Sequence, residues 1–125
     1  MSLNVLVIDD HEETREIIAG VLRDRGFAVT TAVDGTEGLQ AAMAQRPKLI
    51  VVDGMMPGLN GWEFTQRLRQ QDAFDDVPII MFSAAEDAAQ KLRAFNAGVD
   101  DYMIKPVQPA EFLERVQILL SARYG

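Results

Sequence analysis

Cysteine is absent from this chain of 125 residues, which excludes disulfide bonds, zinc–thiolate sites and iron–sulfur clusters. No apolar run is long enough to cross a bilayer, so the sequence predicts no membrane-spanning helix. No charged and then apolar leader opens the chain, so we expect no secretory signal and a cytoplasmic location. Residues 1–3 are interpreted as a leader without function, either native or left by an expression vector.

Basic residues are also few. The chain has 12 Lys and Arg against 19 Asp and Glu, and its formal net charge is −7. The basic residues form no cluster along the sequence, so the field of the protein repels a phosphate backbone. We therefore predict that the chain does not bind nucleic acid directly.

Five short apolar runs, rich in β-branched residues, alternate with amphipathic stretches. Such runs are typical of strands that are buried on both faces of a parallel sheet. The predicted strands are Val5–Ile8, Phe27–Thr31, Leu49–Val52, Ile79–Phe82 and Tyr102–Ile104.

Five helices are predicted between and after the strands, from apolar residues at helical spacing. Gly26 is predicted to cap the first helix, Pro47 to end the second and Gly98 to end the fourth, while Pro109 suits the first turn of the fifth. The predicted apolar positions are Ile17, Ile18, Val21, Leu22, Leu39, Met43, Phe64, Leu68, Leu92, Phe95, Phe112, Leu113, Val116, Leu119 and Leu120.

The alternation of strand and helix predicts one α/β domain, a doubly wound five-stranded parallel sheet with helices on both faces. Ligands of such sheets bind outside the carboxyl ends of the strands. The residues that follow each strand are therefore the candidates for function.

Polar residues follow four of the predicted strands. Asp9 and Asp10 follow the first, Asp53 the third, Ser83 the fourth and Lys105 the fifth. Each one alone is unremarkable, since Asp and Ser are common turn and cap residues. Together they place three carboxylates, a hydroxyl and an ammonium group at one edge of the sheet.

Clustered carboxylates repel one another, and a hard divalent cation such as Mg²⁺ relieves that repulsion. Asp10 and Asp53 would bind the ion directly, and Asp9 through water. A cation and Lys105 beside a carboxylate suit phosphoryl transfer, in which Asp is a competent nucleophile.

These segments resemble the receiver domain of bacterial two-component response regulators over residues 4–123. The order and spacing of the segments match the family, and their combination is highly specific. The segments are Val7-Ile8-Asp9-Asp10, Asp53-Gly54-Met55-Met56-Pro57-Gly58-Leu59-Asn60-Gly61, Phe82-Ser83-Ala84 and Gly98-Val99-Asp100-Asp101-Tyr102-Met103-Ile104-Lys105-Pro106.

The resemblance implies the strand order 2-1-3-4-5 of the flavodoxin-like receiver fold. It makes Asp53 the phosphoacceptor. It makes Asp9, Asp10, Asp53 and the backbone carbonyl of Met55 the ligands of Mg²⁺, for which Mn²⁺ can substitute.

The resemblance also assigns roles around the phosphoryl group. Ser83 and Lys105 would contact that group, and Tyr102 would be the switch aromatic that turns inward when Ser83 moves. Met55 and Ala85 would tune the lifetime of the aspartyl phosphate. A cis peptide bond is implied between Lys105 and Pro106.

The implied function is a phosphorelay switch. A histidine kinase or histidine phosphotransfer protein would donate the phosphoryl group, and the face formed by helix 4, strand 5 and helix 5 would change. A downstream protein, an effector domain or a second copy of the chain would read that change. No enzyme activity is implied beyond Mg²⁺-dependent self-phosphorylation and autodephosphorylation. An alternative is that the chain is a receiver segment of a larger response regulator or hybrid histidine kinase.

Three other classes of protein are less consistent with the residues. A haloacid dehalogenase-like phosphohydrolase needs a second Asp two residues after its nucleophile, where this chain has Met55. A flavodoxin-like cofactor binder needs a phosphate-binding loop after strand one, where this chain is acidic. A binding module without phosphorylation would have no use for the complete acidic set.

Four further positions are interpreted from the sequence. Gly54 and Val107 depart from the family, which usually has an aliphatic residue and a Phe at these positions. His11 is interpreted as the residue that opens the first helix, and Trp62 as a partly buried residue of the third.

Overall fold

The structure is a computed structural model that describes residues 3–84 and 87–125. Within those ranges the chain forms five strands, five α-helices and one short 3₁₀ turn. The strands are β1 (Asn4–Ile8), β2 (Ala28–Ala32), β3 (Leu49–Asp53), β4 (Ile79–Ser83) and β5 (Asp101–Ile104). The helices are α1 (Glu12–Arg23), α2 (Gly35–Gln45), α3 (Gly61–Arg69), α4 (Ala88–Ala97) and α5 (Pro109–Tyr124).

The strands form one parallel sheet in the order β2-β1-β3-β4-β5, which confirms the predicted topology. The register brings the carboxyl ends of the central strands level with one another. Asp53 of β3 lies opposite Phe82 of β4, and Ser83 lies opposite Ile104 of β5. Residues that follow these strands therefore meet at a single edge of the sheet.

Alternate residues of each strand face opposite sides of the sheet, and each side has its own core. Val5 and Val7 belong to the core beneath α1 and α5, where the Phe82 and Phe112 rings meet edge to face at 5.3 Å. Leu6 belongs to the other core, beneath α2, α3 and α4. No helix in the described ranges is both long and apolar enough to span a membrane.

The end of α1 differs from the prediction. The helix ends at Arg23, and Asp24 rather than Gly26 is its capping residue. Gly26 adopts a φ of 89° two residues later, and its N–H group donates to the Arg23 carbonyl at 2.9 Å. The glycine therefore serves the turn into β2, where a left-handed backbone is needed.

Several of the apolar positions that marked the predicted helices lie on the surface. Ile17 of α1 is 53% exposed, and Leu92 of α4 is 62% exposed. Phe95 of α4 is also exposed, and the residues that α4 buries are Ala94 and Ala97. The helix packs through small side chains, so apolar spacing alone does not identify its buried face.

Candidate functional site

Three carboxylates converge at the carboxyl edge of the sheet, as predicted. Asp9 and Asp10 follow β1, and Asp53 is the last residue of β3. Together with His11, these residues offer ligand atoms that all lie within 4.8 Å of one another. The register of β1 and β3, in which Ile8 pairs with Val52, produces this convergence.

Asp9 is the most firmly anchored member of the cluster. Its Oδ1 accepts the backbone N–H of His11 at 2.9 Å, and its Oδ2 accepts from the Lys105 Nζ at 3.2 Å. The Arg15 guanidinium donates to the Asp9 carbonyl at 3.0 Å. Both side-chain oxygens and the carbonyl of Asp9 therefore accept hydrogen bonds, which suits a residue that orients its neighbours in the site.

Lys105 forms ion pairs with two carboxylates, that of Asp9 after β1 and that of Asp53 at the end of β3. Its Nζ lies 3.2 Å from Asp9 Oδ2 and 3.3 Å from Asp53 Oδ1. Its backbone N–H donates to the Ser83 carbonyl at 2.9 Å, which fixes the residue to the end of β4. The peptide bond to Pro106 is cis, as the sequence resemblance implied.

Burial raises the pKa of Asp53 from 3.8 to about 6. The charge of Asp9 acts in the same direction, while Lys105 and the Met55 N–H group oppose it. The Asp53 side chain is only 4% exposed, so its negative charge loses most of its hydration. A cation placed among these carboxylates would therefore stabilise the ionised form.

The residues fit a hard divalent cation. Asp10 Oδ1 is buried and accepts no hydrogen bond from any described residue. An orphaned carboxylate oxygen beside two further carboxylates is the donor set that Mg²⁺ prefers. Asp10 thus offers a carboxylate oxygen for which the described residues provide no hydrogen-bond donor.

The predicted switch and lifetime residues surround this cluster. Ser83 is fully buried at the end of β4, and Tyr102 is only 6% exposed in β5. The inward turn predicted for Tyr102 would therefore start from a ring that is already buried. Met55 is 63% exposed beside Asp53, and its N–H group lies 3.4 Å from Asp53 Oδ1. Ala85 lies outside the described residues.

Two residues near the site have a larger part in it than the sequence indicated. His11 caps α1 as expected, but its side chain makes no capping bond, and Nδ1 lies 3.5 Å from both Asp9 and Asp10. Trp62 is 2% exposed rather than partly buried, and its ring packs against Gly54. The absence of a side chain at Gly54 was the signal that a neighbour fills this space.

Comparison with known proteins gives a consistent result. The family model of the response regulator receiver domain matches residues 5–117. The transcriptional regulatory protein PrrA of Mycobacterium tuberculosis is 41% identical over 98% of this chain and 52% of its own length.

Solved structures share the fold closely. The chemotaxis protein CheY4 of Vibrio cholerae matches with a TM-score of 0.92 and 31% identity, over 96% of this chain and all of its own. A response regulator from Chloroflexus aurantiacus matches with a TM-score of 0.92 and 33% identity, over 97% of this chain and 99% of its own. The chain spans about half the length of the curated relatives that it matches.

Proposed function

The chain belongs to the response regulator receiver family of two-component signalling, and from that premise we propose that Asp53 is its phosphoacceptor. The observation that carries the proposal is the position of Asp53 at the end of the central strand. Its carboxylate is buried, 3.3 Å from a lysine ammonium group and within one ligand shell of two further carboxylates.

The reaction is a transfer between two proteins. An Asp53 oxygen attacks the phosphorus atom of a phosphohistidine, so that a P–O bond forms and the P–N bond breaks. The imidazole nitrogen keeps the electron pair of the broken bond. The donor is a histidine kinase or a histidine phosphotransfer protein, and small phosphodonors support self-phosphorylation by the same attack.

The chain's own residues orient the reacting groups. Asp53 Oδ1 is held by Lys105 and the Met55 N–H group, which fixes the plane of the carboxylate. Once phosphate is attached, Lys105 pairs with a phosphoryl oxygen and Ser83 donates a hydrogen bond to another. A Mg²⁺ or Mn²⁺ ion held by Asp9, Asp10, Asp53 and the Met55 carbonyl would neutralise the charge that develops on the phosphoryl oxygens.

The output is a change of conformation. We place the responding surface on α4, β5 and α5, which expose large apolar side chains and include the Arg115–Asp101 ion pair of 2.8 Å. A downstream protein, an effector domain or a second copy of the chain reads this surface in the cytoplasm. The exposed apolar residues are Leu92, Phe95, Ile104 and Ile118.

The family match favours this function over the phosphohydrolase, flavodoxin-like and binding-only alternatives. The domain boundaries, 1–3 for a leader and 4–123 for the receiver, remain our proposal. A receiver segment within a larger response regulator or hybrid kinase is a second candidate, because several curated relatives are about twice as long as this chain.

Labelling of Asp53 tests the proposal. Wild-type protein should take up phosphate from radiolabelled acetyl phosphate when Mg²⁺ is present and not when it is chelated. Asp53→Asn should abolish the label, while Asp76→Asn, a matched change on an exposed loop, should leave it intact. Label that persists in Asp53→Asn would assign the acceptor to another residue.

A further inference from the structure

Helix α4 is lightly anchored to the rest of the molecule. The residues that it buries are two alanines, Ala94 and Ala97, while Leu92 and Phe95 lie on the surface. Small side chains bury little apolar area, so the core contributes less to holding this helix than it does to α1 or α5. Contacts other than core burial therefore contribute more to the position of α4.

Trp62 contacts two residues of α4, Gln90 and Arg93. Its indole Nε1 donates to the Gln90 carbonyl at 3.4 Å. The Arg93 guanidinium lies over the indole ring, 5.2 Å from its centroid. One buried side chain of α3 thus contacts α4 through both a hydrogen bond and a cation–π interaction.

The same indole lies directly against the phosphoacceptor segment. A Cβ atom at Gly54 would lie 3.0 Å from the Trp62 ring and 3.3 Å from the Met81 sulfur. The backbone at Gly61 is equally close, since a Cβ atom there would lie 2.5 Å from the Asp53 carbonyl oxygen. Gly54 therefore makes room for an aromatic ring beside Asp53, which accounts for the missing aliphatic residue.

We propose that Trp62 is a positioning residue that holds α4 in its resting place and releases it when Asp53 is phosphorylated. The inference rests on the proposed function, because it takes Asp53 as the phosphoacceptor. Tyr102 is buried in the same core as Trp62. The proposal assigns the contacts of Trp62 with Gln90 and Arg93 to the resting state, where they oppose the shift toward the activated state.

The direction of the effect follows from linkage. A contact present only in the resting conformation lowers the fraction of molecules that are competent for the activating ligand. Removing that contact should therefore strengthen the apparent binding of that ligand. A purely structural role for Trp62 would instead lower stability without strengthening binding.

Beryllofluoride with Mg²⁺, a mimic of the acyl phosphate, serves as the probe. Trp62 is the only tryptophan in the sequence, so its fluorescence follows the titration of the wild type and of α4 variants. Arg93→Met removes the cation over the ring, and we expect it to strengthen the apparent affinity by about two- to five-fold. Lys91→Met, the same loss of charge on an exposed position of α4, should leave the affinity at the wild-type value.

Trp62→Phe removes the indole N–H group, and amide resonances replace fluorescence as the readout. In both Trp62→Phe and Arg93→Met, the α4 amides without ligand should shift toward their positions in the beryllofluoride-bound wild type. Affinities equal to or weaker than that of Lys91→Met, with unshifted α4 amides, would overturn the role of Trp62. A wild type that fails to bind beryllofluoride would overturn the proposed function and this inference with it.

Discussion

Charged side chains are hydrogen-bonded to different extents at the two ends of the sheet. At the carboxyl end, Asp9 and Asp53 share one lysine, and Asp10 Oδ1 accepts no hydrogen bond from the residues that the structure describes. At the amino ends of β4 and β5, a single cation is fully satisfied. Arg69 donates to the carbonyls of Phe74, Val77 and Gly98 and pairs with Asp100 Oδ2 at 3.1 Å.

The Arg69 network also reaches other elements. Asp100 Oδ2 accepts the Ile79 N–H group at 2.8 Å, and Asp100 Oδ1 pairs with Arg123 of α5 at 3.2 Å. Burial lowers the pKa of Arg69, and Asp100 counteracts that change. Removing one member of a largely buried network of paired charges is strongly destabilising, whereas an Asp10 oxygen that accepts no hydrogen bond is available to a ligand. The difference separates the end that stabilises the fold from the end that we propose to react.

Asp10→Ala should have the largest effect, and it acts on the reactive end alone. This carboxylate includes an oxygen that accepts no hydrogen bond from a described residue, so the fold should persist while phosphorylation fails. We expect the rate of labelling by acetyl phosphate in Mg²⁺ to fall by about 100-fold or more. Glu13→Ala, on the exposed first turn of α1, is the matched control. Labelling of Asp10→Ala at the wild-type rate would show that the metal ligands are assigned wrongly.

Arg69→Met should have the opposite pattern, with a large loss of stability and little change in chemistry. It leaves Asp100 without its main cation and several carbonyls without a donor. The free energy of unfolding should fall by about 3–5 kcal/mol, measured by urea denaturation. Arg67→Met, on the exposed side of the same helix, should change it far less. Equal decreases in the free energy of unfolding in the two variants would mean that the Arg69 network contributes no more to stability than an exposed arginine does.

The same contrast explains what could be predicted from the sequence. The strands were predictable because β3 and β4 are fully buried and form continuous apolar runs. The acidic site was predictable because the ends of parallel strands must meet. The Arg69 network was not, because its partners Gly98 and Asp100 lie 29 and 31 residues away and an arginine on a helix usually indicates a solvated face.

Burial within the helices was the other weak point. Leu92 and Phe95 marked the fourth helix correctly, but their spacing does not identify its buried face, since α4 packs through alanines. Trp62 was expected to be partly exposed, and only the structure shows that the bare backbone of Gly54 accommodates its ring. Both differences arise because side-chain burial depends on the shape of neighbouring elements, which periodicity does not encode.

Asp53→Asn should have a moderate effect on stability that depends on pH. The folded pKa of Asp53, about 6, exceeds its ordinary value of 3.8, so the folded state binds the proton more tightly. Without metal, the stability that this proton contributes is fully present below about pH 4 and is lost as the pH rises through 6. Asn carries no charge, so the variant should be more stable than the wild type at pH 7.5 by about 1–2 kcal/mol.

Urea denaturation in EDTA at pH 7.5 and pH 4 measures that difference. The gain in stability of Asp53→Asn over the wild type should disappear at pH 4. Asp76→Asn should show no gain in stability at either pH. Saturating Mg²⁺ should reduce the difference in the free energy of unfolding between Asp53→Asn and the wild type at pH 7.5, because the ion stabilises the ionised carboxylate of the wild type. A gain of equal size at both pH values would indicate that the charge of Asp53 is not its cause.

Met55→Asn should have the smallest effect, a change in the lifetime of the phosphorylated state. Hydrolysis needs a water molecule in line with the scissile P–O bond, and the exposed thioether beside Asp53 has no group that orients one. A carboxamide at position 55 should shorten the lifetime by about three-fold, and adding Ala85→Glu should shorten it further. Met43→Asn, on an α2 side chain of partial exposure away from the site, is the control. Decay of the label after removal of acetyl phosphate gives the lifetimes, and an unchanged or longer lifetime in the double variant would rule out water positioning by residues 55 and 85.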